Sequence, residues 1–370
     1  MTGRFRNLAA LLPFIASVFT SGYGPPTLVE ADPANAAISP SVLSQIQESR
    51  PPEIGAKSAI LMDAATGSVI YERESHTRRA MASTTKIMTA LVTLSSARLD
   101  ETVTASPNVR SVEPTIIGLD PGDQLTVVQL LYGLLLPSGN DAAVALAEHV
   151  GGSVAGFARM MNAKAADLDM EDTHFVNPHG LDEDGHYSSA YDLAILARAA
   201  MKQPVFESIV STREFRIKGP PAWLFRSSNL LLQTVAGADG IKTGYTDNAG
   251  RCLVASAARG GRRAISVVLD SETQWADSAA LLQYFFATYD WEMPPRAQSA
   301  LASYTAGQEV RTASARTLPQ MVLPRWQEPY LRWYYDVPSG TDPDDGAVGT
   351  VSYFLFGTKV GQAELYAGGG

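Results

Sequence analysis

The stretch CLVASAARGGRRAISVVL, residues 252–269, decides how this chain folds. Its two arms, 252–257 and 264–269, are continuously apolar where a half-exposed strand would alternate, so each reads as a strand buried on both faces. Between them Arg259-Gly-Gly-Arg262 supplies a glycine pair suited to a tight turn. The stretch is therefore expected to be a hairpin of two central strands.

Working outward, residues 58–62 and 68–71 are short apolar strands on either side of Asp63-Ala-Ala-Thr-Gly67, a second hairpin signal. Next comes MASTTKIMTALVTL, 81–94, in which Ile87, Leu91 and Leu94 recur at helical spacing and bury one face of a helix. Further helical runs cover about 124–136, 140–150, 154–168 and 190–201. Strands at both ends of a helical middle predict an α/β (α+β) domain over 57–290, built on one antiparallel sheet. After Pro294-Pro295 the texture changes. Segments such as VSYFLF, 351–356, lean towards β structure between Gly, Pro and Asp, so 300–370 reads as a small, separate all-β domain. Trp326, Trp333, Tyr334 and Tyr335 fall there and are expected to pack its core.

The chain has 370 residues, 45% of them hydrophobic and 18% charged, enough for at least one large core. Its net charge of −9 and the absence of a dense basic run argue against a nucleic-acid partner on electrostatic grounds. A single cysteine and five histidines exclude an internal disulfide framework and a multi-thiolate metal site. At the N-terminus Arg4 and Arg6 precede an apolar run over 8–19, and Ala34-Asn35-Ala36, or alternatively Val29-Glu30-Ala31, offers small residues for cleavage. Residues 1–36 thus read as a signal peptide, because a spanning helix needs about 20 apolar residues and this run is shorter and holds Pro13. A Ser/Pro/Gln-rich linker is expected over 37–56. The last residues carry no amphipathic helix or lipidation box, so no C-terminal membrane anchor is expected.

Three short motifs carry chemistry. Ser83-Thr84-Thr85-Lys86 puts a hydroxyl and an ammonium three residues apart, on one helical face. A serine becomes a nucleophile once a neighbour removes its proton, and a lysine can do so when burial or a second cation lowers its pKa. Of the seven lysines only Lys86 has a serine three positions before it. Ser138-Gly139-Asn140 breaks two apolar helical runs and can project a hydroxyl and a carboxamide into one cleft. Ser-x-Asn also occurs at Ser106 and Ser227, but only the middle copy sits between two strongly apolar helices. Lys242-Thr243-Gly244, just before the buried hairpin, can offer an ammonium and a hydroxyl to an anion, with a glycine that lets another backbone approach. Each motif has a plain structural alternative: a capping serine with a solvated lysine, a capping asparagine, an edge lysine that guards against aggregation.

The ordered set resembles the penicillin-binding and serine β-lactamase superfamily, marked by such motifs. The flanking segments 57–86, 136–143, 174–192 and 239–254 are similar to the low-molecular-mass penicillin-binding proteins, the serine-type D-alanyl-D-alanine carboxypeptidases. The resemblance is strong over about 55–290 and loose over 300–365, where that family carries a β-rich domain. It implies Ser83 as the acylated nucleophile, Lys86 as its base and Ser138 as the proton carrier to the leaving D-alanine. Asn140 would hold the substrate amide, Lys242 and Thr243 its carboxylate, and Gly244 would allow close approach. The backbone N–H groups of Ser83 and Tyr245 would form the oxyanion hole. The implied substrate is a peptidoglycan stem peptide ending in D-Ala-D-Ala, with β-lactams as covalent inhibitors and no cofactor or metal. Two departures stand out: residues 269–282 contain no arginine, which many relatives use for the carboxylate, and no amphipathic C-terminal helix like that of many relatives is expected from the sequence as given.

His174, His179 and His186 cluster with Asp182 and Asp184, yet no His-Glu-x-x-His helix accompanies them, so an ordered hydrogen-bonded loop is expected in place of a metal site. Cys252 begins a buried strand and reads as a core residue. A β-lactamase would need a deacylating glutamate four residues before an asparagine, and no glutamate in 141–241 meets that spacing. A D,D-endopeptidase or a non-catalytic wall-binding protein are the other readings of the same chain.

Overall fold

The computed structural model describes residues 49–219, 221–292, 302–306, 309–338 and 346–367, with positions 44 and 46. The expected signal peptide and most of the linker lie outside them. The described end of the linker stretch is part of the fold: Ile54 and Ala56 are buried, and the Gly55 and Ala56 N–H groups donate to the Asp277 carboxylate at 2.9–3.1 Å.

The main sheet is antiparallel with five strands in the order β2-β1-β9-β8-β7. These are β1 (Ser58–Asp63), β2 (Val69–Arg73), β7 (Ala238–Thr246), β8 (Gly250–Arg259) and β9 (Arg262–Leu269). Residues on alternate sides of these strands enter two different cores. Ile60, Met62, Cys252, Val254, Ile265 and Val267 face the helical middle of the chain. Ala59, Leu61, Leu253, Ala255, Ala264 and Val268 pack under α8 (Gln274–Thr288) with Leu281, Leu282 and Phe285. Covering both faces is why the arms 252–257 and 264–269 have no polar alternation.

The helical middle comprises α1 (Lys86–Ser96), α2 (Val127–Leu135), α3 (Asn140–Gly151), α4 (Val154–Asp167), α5 (Ala190–Ala200) and α6 (Pro204–Val210), followed by the single turn α7 (Leu231–Thr234). Two short ribbons accompany them: β3 (Thr102–Thr104) with β4 (Gln124–Thr126), and β5 (Glu214–Ile217) with β6 (Trp223–Arg226). The domain is thus built on the one main antiparallel sheet that was expected, with two ribbons beside it whose strands are too short to show a period.

The chain leaves α8 through β10 (Tyr289–Glu292), which pairs with β13 (Met321–Pro324). A second five-stranded antiparallel sheet follows, ordered β11-β12-β16-β15-β14. Its strands are β11 (Ala302–Ala306), β12 (Glu309–Ala315), β14 (Leu331–Asp336), β15 (Ala347–Leu355) and β16 (Thr358–Ala367). It has its own core around Leu331, Val351, Tyr353 and Leu365, against which Trp333 and Tyr335 pack. Tyr334 and Phe356 stay outside, about half exposed.

Candidate active site

The nucleophile motif starts in a 3-10 turn, Ala82–Thr85, that runs into α1 at Lys86. Hydroxyls tighten this turn: Thr84 Oγ1 donates to Met81 O at 2.6 Å and Thr85 Oγ1 to Ala82 O at 2.8 Å. Ala82 sits at φ +48° and directs the chain into the turn. Three residues on, the fully buried Lys86 Nζ lies 2.7 Å from Ser83 Oγ, 2.6 Å from Asn140 Oδ1 and 2.7 Å from His179 O.

The protonation state of Lys86 decides how these three contacts are shared. Burial holds the Lys86 pKa well below the ordinary lysine value; the Lys242 charge pushes it further down, and Asp141 opposes both. A neutral amine has two N–H donors and one lone pair. The carbonyl oxygens of Asn140 and His179 can only accept, so they take both N–H groups. The lone pair remains for the Ser83 hydroxyl proton. The arrangement is that of a base already engaged with its nucleophile.

Asn140 opens α3, and the turn before it holds Ser138 at φ +73°. The Asn140 side chain is oriented from its far end, where Nδ2 donates to Glu113 O at 2.7 Å, while its backbone N–H donates to Thr115 O at 2.7 Å. Asp141 fixes the same wall: its buried carboxylate accepts from the N–H groups of Ile117, Gly118 and Leu119 at 2.9–3.1 Å. Ser138 is buried in this turn and has no hydrogen-bond partner among the described residues.

The third motif lies on β7, the edge strand, paired only with β8. Lys242 is buried, donates to Thr243 O at 2.9 Å, and has no carboxylate partner among the described residues. Burial lowers its pKa to about 7. Thr243 Oγ1 lies 2.8 Å from Ser228 Oγ. A Cβ on Gly244 would stand 3.0 Å from Ser83 N, so the lack of a side chain is what lets β7 lie against the nucleophile turn. Tyr245 is 62% exposed, and its hydroxyl donates to Asp247 at 2.9 Å.

Ser83, Lys86 and Asn140 are thus directly hydrogen-bonded, Gly244 abuts Ser83, and Lys242 is near enough to depress Lys86. Thr243 reaches the group through its neighbour Ser228, whereas the Ser138 and Tyr245 side chains form no hydrogen bond with the cluster. Sequence reasoning missed Ser228, which lies in the Ser227-Ser-Asn229 copy of the second motif, and its N–H donates to Leu136 O at 3.1 Å. In the segment without arginine, Asp277 instead takes the Ser271 and Thr273 hydroxyls at 2.6 and 3.0 Å, besides the two N–H groups of the linker end.

The histidine loop also bears on the site. Asn177 accepts the N–H groups of His179 and Gly180, at 3.3 and 2.7 Å, and so turns the His179 carbonyl onto Lys86. Burial above all lowers the His179 pKa to about 3. Among the described residues, no group of three or more His, Cys, Asp or Glu is arranged to hold a metal ion. Cys252 is buried, with its pKa pushed up to about 12, which makes it inert.

A fold of this kind carrying a lysine-engaged serine is that of a serine hydrolase. Residues 45–273 match the family described as D-alanyl-D-alanine carboxypeptidase. D-alanyl-D-alanine carboxypeptidase DacF of Bacillus subtilis is 39% identical over 264 residues, 68% of each chain. The crystal structure of penicillin binding protein 6B from Escherichia coli superposes with a TM-score of 0.71 at 31% identity, over 85% of this chain and 96% of that one. Penicillin binding protein 5 from Haemophilus influenzae gives a TM-score of 0.73 at 29% identity, over 86% and 98%. In the first curated relatives the match spans 60–68% of their length. This chain belongs to the D-alanyl-D-alanine carboxypeptidase family.

Proposed function

We propose that the protein is a serine-type D-alanyl-D-alanine carboxypeptidase that removes the terminal D-alanine from peptidoglycan stem peptides through an acyl-enzyme on Ser83. The observation that carries this is the contact of the buried Lys86 Nζ with Ser83 Oγ, at 2.7 Å. In the acylation step the Ser83 proton passes to Lys86 as Oγ bonds to the carbonyl carbon of the penultimate D-alanine. The negative charge on the carbonyl oxygen meets the N–H groups of Ser83 and Tyr245. The C–N bond then breaks as Ser138 gives its hydroxyl proton to the leaving amine and takes in exchange the proton held by Lys86, which leaves the lysine neutral again. Water, deprotonated by the same base, releases the shortened peptide and restores the Ser83 hydroxyl.

Lys242 and Thr243 receive the terminal carboxylate, and the missing carboxylate partner of Lys242 supports that role. Asn140 orients Lys86 with its oxygen and keeps one Nδ2 hydrogen for the substrate amide. β-Lactams, which mimic the terminal dipeptide, acylate the same serine. The proposal includes export, from the leader over 1–36, a catalytic domain over 57–290 and a separate β domain over 300–370. Among the described residues no helix is long and apolar enough to cross a membrane.

A fluorescent penicillin and a peptide ending in D-Ala-D-Ala test this together. Stable labelling and D-alanine release are expected, both lost in Ser83→Ala. Labelling that persists in that variant, or a label shed within seconds, would reject the assignment.

A further inference from the structure

The His186 ring is buried in the loop that precedes α5, and both of its nitrogens are engaged. Val176 N–H donates to Nδ1 at 3.0 Å. A ring nitrogen that accepts carries no proton, so the proton of the neutral ring sits on Nε2. Burial, aided by His174, keeps the ring neutral by lowering its pKa to about 4. Nε2–H then donates to Thr85 Oγ1 at 2.9 Å. Having accepted there, Thr85 directs its own proton to Ala82 O at 2.8 Å. The relay has one direction, from the loop backbone through His186 and Thr85 to one carbonyl.

That carbonyl shares a rigid peptide plane with the Ser83 N–H, and in a trans peptide the two point in opposite directions. Whatever fixes Ala82 O also aims the Ser83 N–H. Two glycines make room for this orientation. A Cβ on Gly180 would overlap Ala82 O, and one on Gly244 would crowd Ser83 N. We infer that His186 is a positioning residue: through Thr85 it sets the plane of the Ala82–Ser83 peptide and so aims the Ser83 N–H at the oxyanion formed during acylation. The inference rests on the reading of Ser83 as the nucleophile.

The test compares two substitutions in the full-length protein. Gln carries its amide nitrogen to about the position of Nε2 and can still donate to Thr85. Asn ends near Nδ1, where it can accept from Val176 but cannot reach Thr85. Acylation by a fluorescent penicillin over a concentration series gives a maximal rate and a half-saturating concentration, and thermal melting follows the fold. His186→Gln is expected to stay within about threefold of the parent rate. His186→Asn is expected to lose about tenfold or more, as for a weakened oxyanion donor, with half-saturation unchanged. Equal maximal rates in the two variants overturn the inference. So does a loss in His186→Asn confined to half-saturation. If His186→Asn yields no folded protein, Thr85→Val removes the acceptor instead, and a parental rate in that variant overturns the inference. Labelling that survives Ser83→Ala would overturn the nucleophile reading and this inference with it; normal Ser83 labelling with equal variant rates overturns this inference alone.

Discussion

Asn140 presents its oxygen to Lys86, 2.6 Å away, because its nitrogen is held by the Glu113 carbonyl. An oxygen in that place takes one of the amine's hydrogens and adds no charge. Replacing it with a carboxylate would change the chemistry without changing the shape. Asn140→Asp puts an opposite charge beside Lys86 and favours the protonated amine, by roughly 1–3 pKa units for such a pair. Acylation by penicillin at pH 7 is expected to slow about tenfold or more, with its rising pH limb moved to higher pH. A limb that stays in place would show that the oxygen's role is steric.

Lys242 gives the opposite pH limb. With a pKa of about 7 it is a cation below neutrality and loses that charge above it. The kcat/KM for a peptide ending in a free carboxylate is expected to fall about tenfold per pH unit on the alkaline side of that value. Lys242→Arg, whose charge persists past pH 12, is expected to flatten the limb. A pH series on both proteins checks this, and an unchanged limb in the arginine variant counts against Lys242 as its origin.

Gly180 is at φ +90°, and a side chain there would collide with Ala82 O. Gly180→Ala combines a left-handed alanine with that collision, at a cost of about 3 kcal/mol. Its melting temperature should fall by several degrees, and its penicillin acylation should fall with it. Parental values for both would mean that the loop and the nucleophile turn move independently.

Ser228 supplies the hydroxyl partner of Thr243 at 2.8 Å. Removing it in Ser228→Ala costs about 1 kcal/mol of hydrogen bonding, roughly a fivefold change. That change is expected in the KM of the carboxylate-bearing peptide, with kcat held. Steady-state kinetics with the peptide and with its C-terminal amide distinguishes the case, since the amide should be insensitive.

How much of this was readable from residue order follows from where each signal sits. The arms 252–257 and 264–269 were legible because two-sided burial writes itself as unbroken apolar sequence. Ser83 and Lys86 were legible because their meeting depends only on a three-residue offset. α8 was passed over: Trp275, Ala279, Leu281, Leu282, Tyr284, Phe285 and Phe286 all pack, which blurs the single stripe a helix usually shows. The His186–Thr85 bond joins residues 101 apart, and nothing local in either segment announces it. Spacing within a motif survives in one dimension, whereas a support brought in by the fold does not.

Keeping Lys86 and Lys242 out of water has a further effect, on the endurance of the folded chain. An unfolded lysine holds its proton to about pH 10.4, whereas native Lys242 releases it near 7. Between those values the denatured chain carries the extra proton, so conformational stability climbs with alkalinity across that window. Below it the native state bears a handicap on the order of 4 kcal/mol from this one group. Lys242→Met should therefore melt higher than its parent at pH 7, with the gap closing towards pH 10. The very groups that make the molecule reactive also make it more fragile.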